Sequence, residues 1–96
     1  MEEAIHERVT KEKIPQLHFV SVPMITDESE LKRIKHNLEL ATDMCQSFYT
    51  KTRIIFETRE GTKEVLTTIW AATDNHILLK GGISIPMNCV RNVIVS

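Results

Sequence analysis

His36, Glu39 and Asp43 stand at i, i+3 and i+7 within a stretch of helical periodicity, which puts one imidazole and two carboxylates on a single face. Such a face can orient a base or grip a divalent ion, but a catalytic zinc needs three well-placed ligands and a supporting shell. No partner motif supplies them, so the face reads as solvated. Asp74 and His76 form a second acid–base candidate, and turn chemistry explains Asp74-Asn75 without catalysis. Cys89 has no His or Asn in a recognisable nucleophile–base relation to it, and Cys45 and Cys89 lack Cys-x-x-Cys spacing. Both read as buried thiols. Lys80-Gly81-Gly82 lacks the second glycine and the following Lys-Ser/Thr of a phosphate loop, and reads as a hairpin turn. The sequence therefore predicts no enzyme, no cofactor, and no catalytic or metal site.

The charge pattern leaves binding open. Twelve basic and thirteen acidic residues give a net charge of −1, too weak a field to draw a polyanion or a membrane to the whole molecule. Residues 51–96 hold six basic and four acidic groups, against six and nine in residues 1–50, so the C-terminal half is mildly basic. Arg53, Arg59, Lys63, Lys80 and Arg91 are its candidates for phosphate contact. Aromatic residues for base stacking are scarce, with Trp70 reading as core and Tyr49 at the end of the helix.

The elements that must position these residues come from one core. Ninety-six residues, 42% hydrophobic and 26% charged, have the composition of one globular domain. The N-terminal stretch lacks the basic and apolar regions of a secretory signal, and no apolar run is long enough to span a bilayer, so a cytoplasmic protein is expected. Residues 1–16 read as a charged arm that frays or forms a short helix. Residues 17–25 are apolar and β-compatible, with Pro23 restricting them to a sheet edge.

A helix is predicted over residues 27–48. Asp27 is its N-cap and Glu30 completes a capping box. Leu31, Ile34, Leu38, Ala41, Cys45 and Phe48 then recur at helical spacing in one stripe, with Leu40 and Met44 on a second flank. From residue 51 the period becomes alternating. Thr52–Thr58, Glu64–Ala72, His76–Lys80, Ile83–Ile85 and Val90–Val95 read as five strands separated by Gly or Asx turns. Both faces of these strands carry apolar residues, as in Val65, Ile69 and Ala71 against Leu66, Trp70 and Ala72. That pattern predicts an α+β fold, an N-terminal helix followed by a strongly bent five-stranded antiparallel sheet or small barrel, with Trp70 buried.

The segment Trp70-Ala71-Ala72-Thr73-Asp74-Asn75-His76-Ile77-Leu78-Leu79-Lys80-Gly81-Gly82, set after a helix and within five short strands, resembles the pattern of Sm-like RNA-binding proteins and related small barrels. The resemblance covers residues 27–95. It implies a base-holding loop at Asp74 and at His76, or at Asn75 with a one-residue shift, and rings formed by strand-to-strand pairing. Ile83-Ser84-Ile85-Pro86-Met87-Asn88 stands where that family has an apolar-Arg-Gly turn.

Two functions follow. The first is a small cytoplasmic, non-enzymatic interaction or regulatory module that forms a homo-oligomer or binds another protein, with Glu64–Ala72 or Val90–Val95 as the pairing edge. The second is an Sm-like single-stranded nucleic-acid binder using Asn75, His76, Lys80 and Arg91 as ligand-binding residues.

Overall fold

In a computed structural model of the chain, residues 7–48 and 50–95 are described, apart from the side chains at 46 and 48. Residues 1–6 of the predicted arm, the Phe48 side chain that would end the helix stripe, and Tyr49 lie outside the described set.

The helix α1 spans Glu28–Phe48. Asp27 starts it as the sequence predicts: its carbonyl accepts the Leu31 N–H at 3.0 Å and its Oδ1 accepts the Ser29 N–H at 3.3 Å. Glu30 does not turn back to the cap, because Arg33 Nη2 holds its carboxylate at 2.7 Å. The stripe Ile34, Leu38, Ala41 and Cys45 is buried and faces the strands.

The described strands are β1 (Glu7–Arg8), β2 (Thr52–Thr58), β3 (Gly61–Thr67), β4 (Ile69–Ala72), β5 (His76–Leu79), β6 (Ser84–Pro86) and β7 (Val90–Val95). They form two sheets, a mixed one in the order β1-β3-β2-β7 and an antiparallel one in the order β4-β5-β6. This corrects the predicted N-terminal helix with a bent five-stranded antiparallel sheet or barrel. The helix lies in the middle of the chain, seven strands replace five, and neither sheet closes.

Three interactions account for the difference. The predicted strand Glu64–Ala72 is divided at Thr68, whose carbonyl takes the Lys80 N–H at 3.0 Å, so β3 stays with β2 while β4 pairs with β5. The charged arm contributes β1, parallel to β3, because Glu7 meets Lys63 at 2.6 Å and Arg8 meets Glu64 at 2.7 Å. The segment from residue 17 to residue 25 makes a single bridge, Phe19 to Thr58, and otherwise lies over the sheet as irregular chain. Met24 N–H reaches the Asn88 carbonyl at 2.9 Å, and Asn88 Nδ2 donates to the Val20 carbonyl at the same distance.

The core joins both sheets to α1. Ile54, Phe56, Val65, Ile69, Ile77, Leu79, Ile85 and Val93 supply inward side chains from six strands, while Val9 and Ile14 plug it from the N-terminal side. Ile14 sits in a 3₁₀ turn over Lys11–Gln16. The β5–β6 turn requires two left-handed residues in succession, supplied by Gly81 at φ 94° and Gly82 at φ 85°.

α1 also covers sheet edges. Asn37 Nδ2 donates to the Val93 carbonyl of β7 at 3.1 Å, and the Ile69 N–H of β4 points at Cys45 Sγ at 3.4 Å. On β7 the Asn92 side chain accepts the Val93 N–H at 2.9 Å. Both main-chain groups of Val93 are thereby taken up by side chains, which blunts this edge against pairing with another strand.

Candidate functional site

The outward face of the four-stranded sheet is built by register. Leu66 of β3, Arg53 of β2 and Ile94 of β7 lie side by side in one row across three strands. Leu66 is 38% exposed and Ile94 36%. The next row runs from Asn92 through Ile55 and Glu64 to Arg8. Glu64 is buried beneath two guanidinium groups: Arg8 grips its Oε2 at 2.7 and 3.0 Å, and Arg53 Nε lies 3.2 Å from the same oxygen. At the far end Arg91 faces Glu57 at 3.5 Å. The face therefore combines exposed aliphatics with both signs of charge.

Trp70 is not core, as the sequence reading expected, but 48% exposed. The β4–β5 register shifts between Ile69 and Ala71, so Ile69 keeps the buried side and the indole at this bulge turns outward.

The four predicted ligand residues do not converge. Asn75 lines a cavity of about 320 Å³ that also meets Asp74, Met87, Asn88 and Lys35, with Pro23, Ile25 and Leu31 on its apolar side. His76 follows in sequence, exposed and outside the cavity lining; its N–H and the Asn75 N–H both donate to Thr73 Oγ1, a turn that accounts for this segment without a ligand. Lys80 lies beyond the opposite end of β5, about 13 Å from His76 at the rise of an extended strand. Arg91, adjoining the cavity residue Val90, is occupied by Glu57 and by a contact of 3.8 Å with Met24 Sδ.

Lys80 instead lines a second cleft, of about 580 Å³, with Lys51 and with Arg8 and Lys11 from the N-terminal arm. Sequence reading missed this grouping. Its signal is the reciprocal charge order of Glu7-Arg8 and Lys63-Glu64, which lays the arm along β3 and carries Lys11 to the cleft.

Other candidates have little chemistry. His36, Glu39 and Asp43 are exposed on α1, and among the described residues no three His, Cys, Asp or Glu side chains gather as a metal site. Burial pushes the Cys89 thiol up, and its Sγ donates to the Val20 carbonyl at 3.2 Å, which is the setting of a packed thiol. Cys45 is buried as well and is not bonded to Cys89. Among the described residues no helix is long and apolar enough to cross a membrane. No protein-family model, curated protein or solved structure matches this chain.

Proposed function

We propose that the protein is a non-enzymatic cytoplasmic interaction module that associates with a second copy of itself through the outward face of the four-stranded sheet. The observation that carries this reading is the row Leu66–Arg53–Ile94, two large aliphatics more than a third exposed on either side of a guanidinium, spread across three paired strands rather than at a loop tip. A two-fold contact requires a patch complementary to itself. Arg8 and Arg53 already meet Glu64 and Arg91 meets Glu57 within the chain, so the charges of this face are largely neutralised and do not oppose a second copy of it. Face-to-face docking is favoured over strand addition at β7, where Asn37 and Asn92 already hold the main chain of Val93. Reduced thiols at Cys45 and Cys89 suit the cytoplasm. Sedimentation velocity over a concentration series tests the reading: a mass that rises with concentration supports it, and a strict monomer at about 100 μM, a Kd weaker than most specific contacts, removes it.

A second reading, single-stranded nucleic-acid binding of the Sm-like kind, draws on one observation. Asp74-Asn75 and Met87-Asn88, the two loop segments where the resemblance would put base contacts, line the same 320 Å³ cavity. Fluorescence anisotropy with oligo(U) and oligo(A) at low salt, unchanged on addition of protein, would dispose of it.

A further inference from the structure

We infer that the cleft between Lys51 and Lys80 is a binding site for a small molecule bearing two or more linked phosphate groups. Thr68 brings the two lysines together. Its carbonyl accepts the Lys80 N–H at 3.0 Å, and its hydroxyl donates to the carbonyl of Thr50, the residue before Lys51, at 3.4 Å. Two positions remote in sequence are thus anchored to one residue at the point where β3 passes into β4.

The N-terminal arm forms the opposite wall. Lys11 approaches the β5–β6 turn so closely that a Cβ at Gly81 would stand 3.3 Å from its Cε. The cleft holds four cations and one acid, Glu12, among the described residues, although the whole chain has a net charge of −1. Internal pairing uses up part of that charge: Arg8 is committed to Glu64, and Lys11 lies 3.2 Å from Glu12. Lys51 and Lys80 are both exposed and have no acidic partner among the described residues.

Ammonium groups act on phosphate as point charges with several rotatable donors. Two of them flanking Thr68 suit linked phosphates better than a single carboxylate. About 580 Å³ is within the range of small-molecule sites. An acidic peptide added as a strand is disfavoured. β1 already occupies β3 at Lys63 and Glu64, and the strand ends at Thr67, leaving too short an edge to template pairing.

The test is titration of the full chain with inorganic tripolyphosphate at low salt, followed by calorimetry and by amide shifts, with hexaglutamate as the carboxylate control. Saturable binding is expected, with shifts concentrated at Lys51, Thr68 and Lys80. Each of Lys51→Ala and Lys80→Ala should weaken it roughly tenfold, the step one charge-assisted hydrogen bond supplies. Lys32→Ala on the outer face of α1 should leave it unchanged. Both cleft lysines are exposed, so the variants keep the fold. No saturation at about 1 mM probe, equal affinity for hexaglutamate, or binding undiminished in both lysine variants would overturn the assignment.

Discussion

At the scale of single residues, the sharpest electrostatic feature is the tie between His18 and Glu60. The His18 N–H donates to Glu60 Oε1 at 3.1 Å, the ring Nδ1 lies 2.6 Å from Oε2, and the Arg59 N–H returns to the His18 carbonyl at 2.8 Å. These contacts pin the irregular segment before α1 to the β2–β3 turn. Hydrogen bonds from the His18 ring and main chain hold the Glu60 carboxyl down to about 2, from an ordinary 4.5. A carboxyl depressed in the folded state contributes stability that is fully present above its unfolded value and lost as pH falls through its folded one. The tie should therefore hold above about pH 4.5 and release as pH falls toward 2. A carboxyl-detected NMR titration should place the Glu60 midpoint near 2 and return it toward 4.5 in His18→Ala; a midpoint indifferent to that substitution would show the contact absent in solution. Cys89 gives a second residue-scale expectation. With burial raising the thiol and no exposed surface, it should alkylate with iodoacetamide near neutral pH far more slowly than in the unfolded chain, and a rate equal to the unfolded one would reopen nucleophilic chemistry.

At the scale of elements, α1 both packs the core and caps sheet edges, and the two roles separate by mutation. Leu38→Ala removes a side chain 2% exposed and should cost about 2–5 kcal/mol, whereas Leu40→Ala, 44% exposed, should stay within about 0.5 kcal/mol, both read from urea midpoints. Asn37→Ala takes the donor from the Val93 carbonyl, and a partly buried acceptor without a partner costs about 1–3 kcal/mol. The same variant uncovers the β7 edge. The helix was legible because 3.6-residue spacing from Leu31 to Cys45 and an Asp27 cap are local signals. Thr52–Thr58 and Val90–Val95 were legible for the same reason, through alternation bounded by turns. The break at Thr68 was not, since it depends on Lys80 as a distant hydrogen-bond partner, and apolar residues on both sides of Glu64–Ala72 look alike whether or not the strand changes sheets. β1 was hidden likewise, its pairing fixed by ion pairs to Lys63 and Glu64 across more than half the chain.

At the scale of the whole molecule, the alternating pattern rightly marked two apolar faces but could not say that one of them stays at the surface. Val65, Ile69 and Ile54 went into the core beneath α1, while Leu66, Trp70 and Ile94 were left outside, because one helix has a single stripe and two sheet edges to cover. That remainder is the surface left for association, and it can be altered without disturbing the core. In Leu66→Glu/Ile94→Glu the new carboxylates would flank Arg53 within the chain, a favourable neighbourhood for the folded monomer, but would put like charges against each other across a two-fold contact. The urea midpoint should move by the equivalent of less than about 1 kcal/mol, as expected for positions more than a third exposed. Sedimentation should meanwhile show the wild type gaining mass with concentration and the double variant remaining at 11.0 kDa throughout. Val22→Glu, at the most exposed large apolar side chain described and outside the row Leu66–Arg53–Ile94, should behave as wild type. If the double variant associated as strongly as the parent, the face would be the wrong one. If Val22→Glu abolished association instead, the contact would belong to the segment lying over the sheet before α1, where Asn88 fixes the Val20 carbonyl.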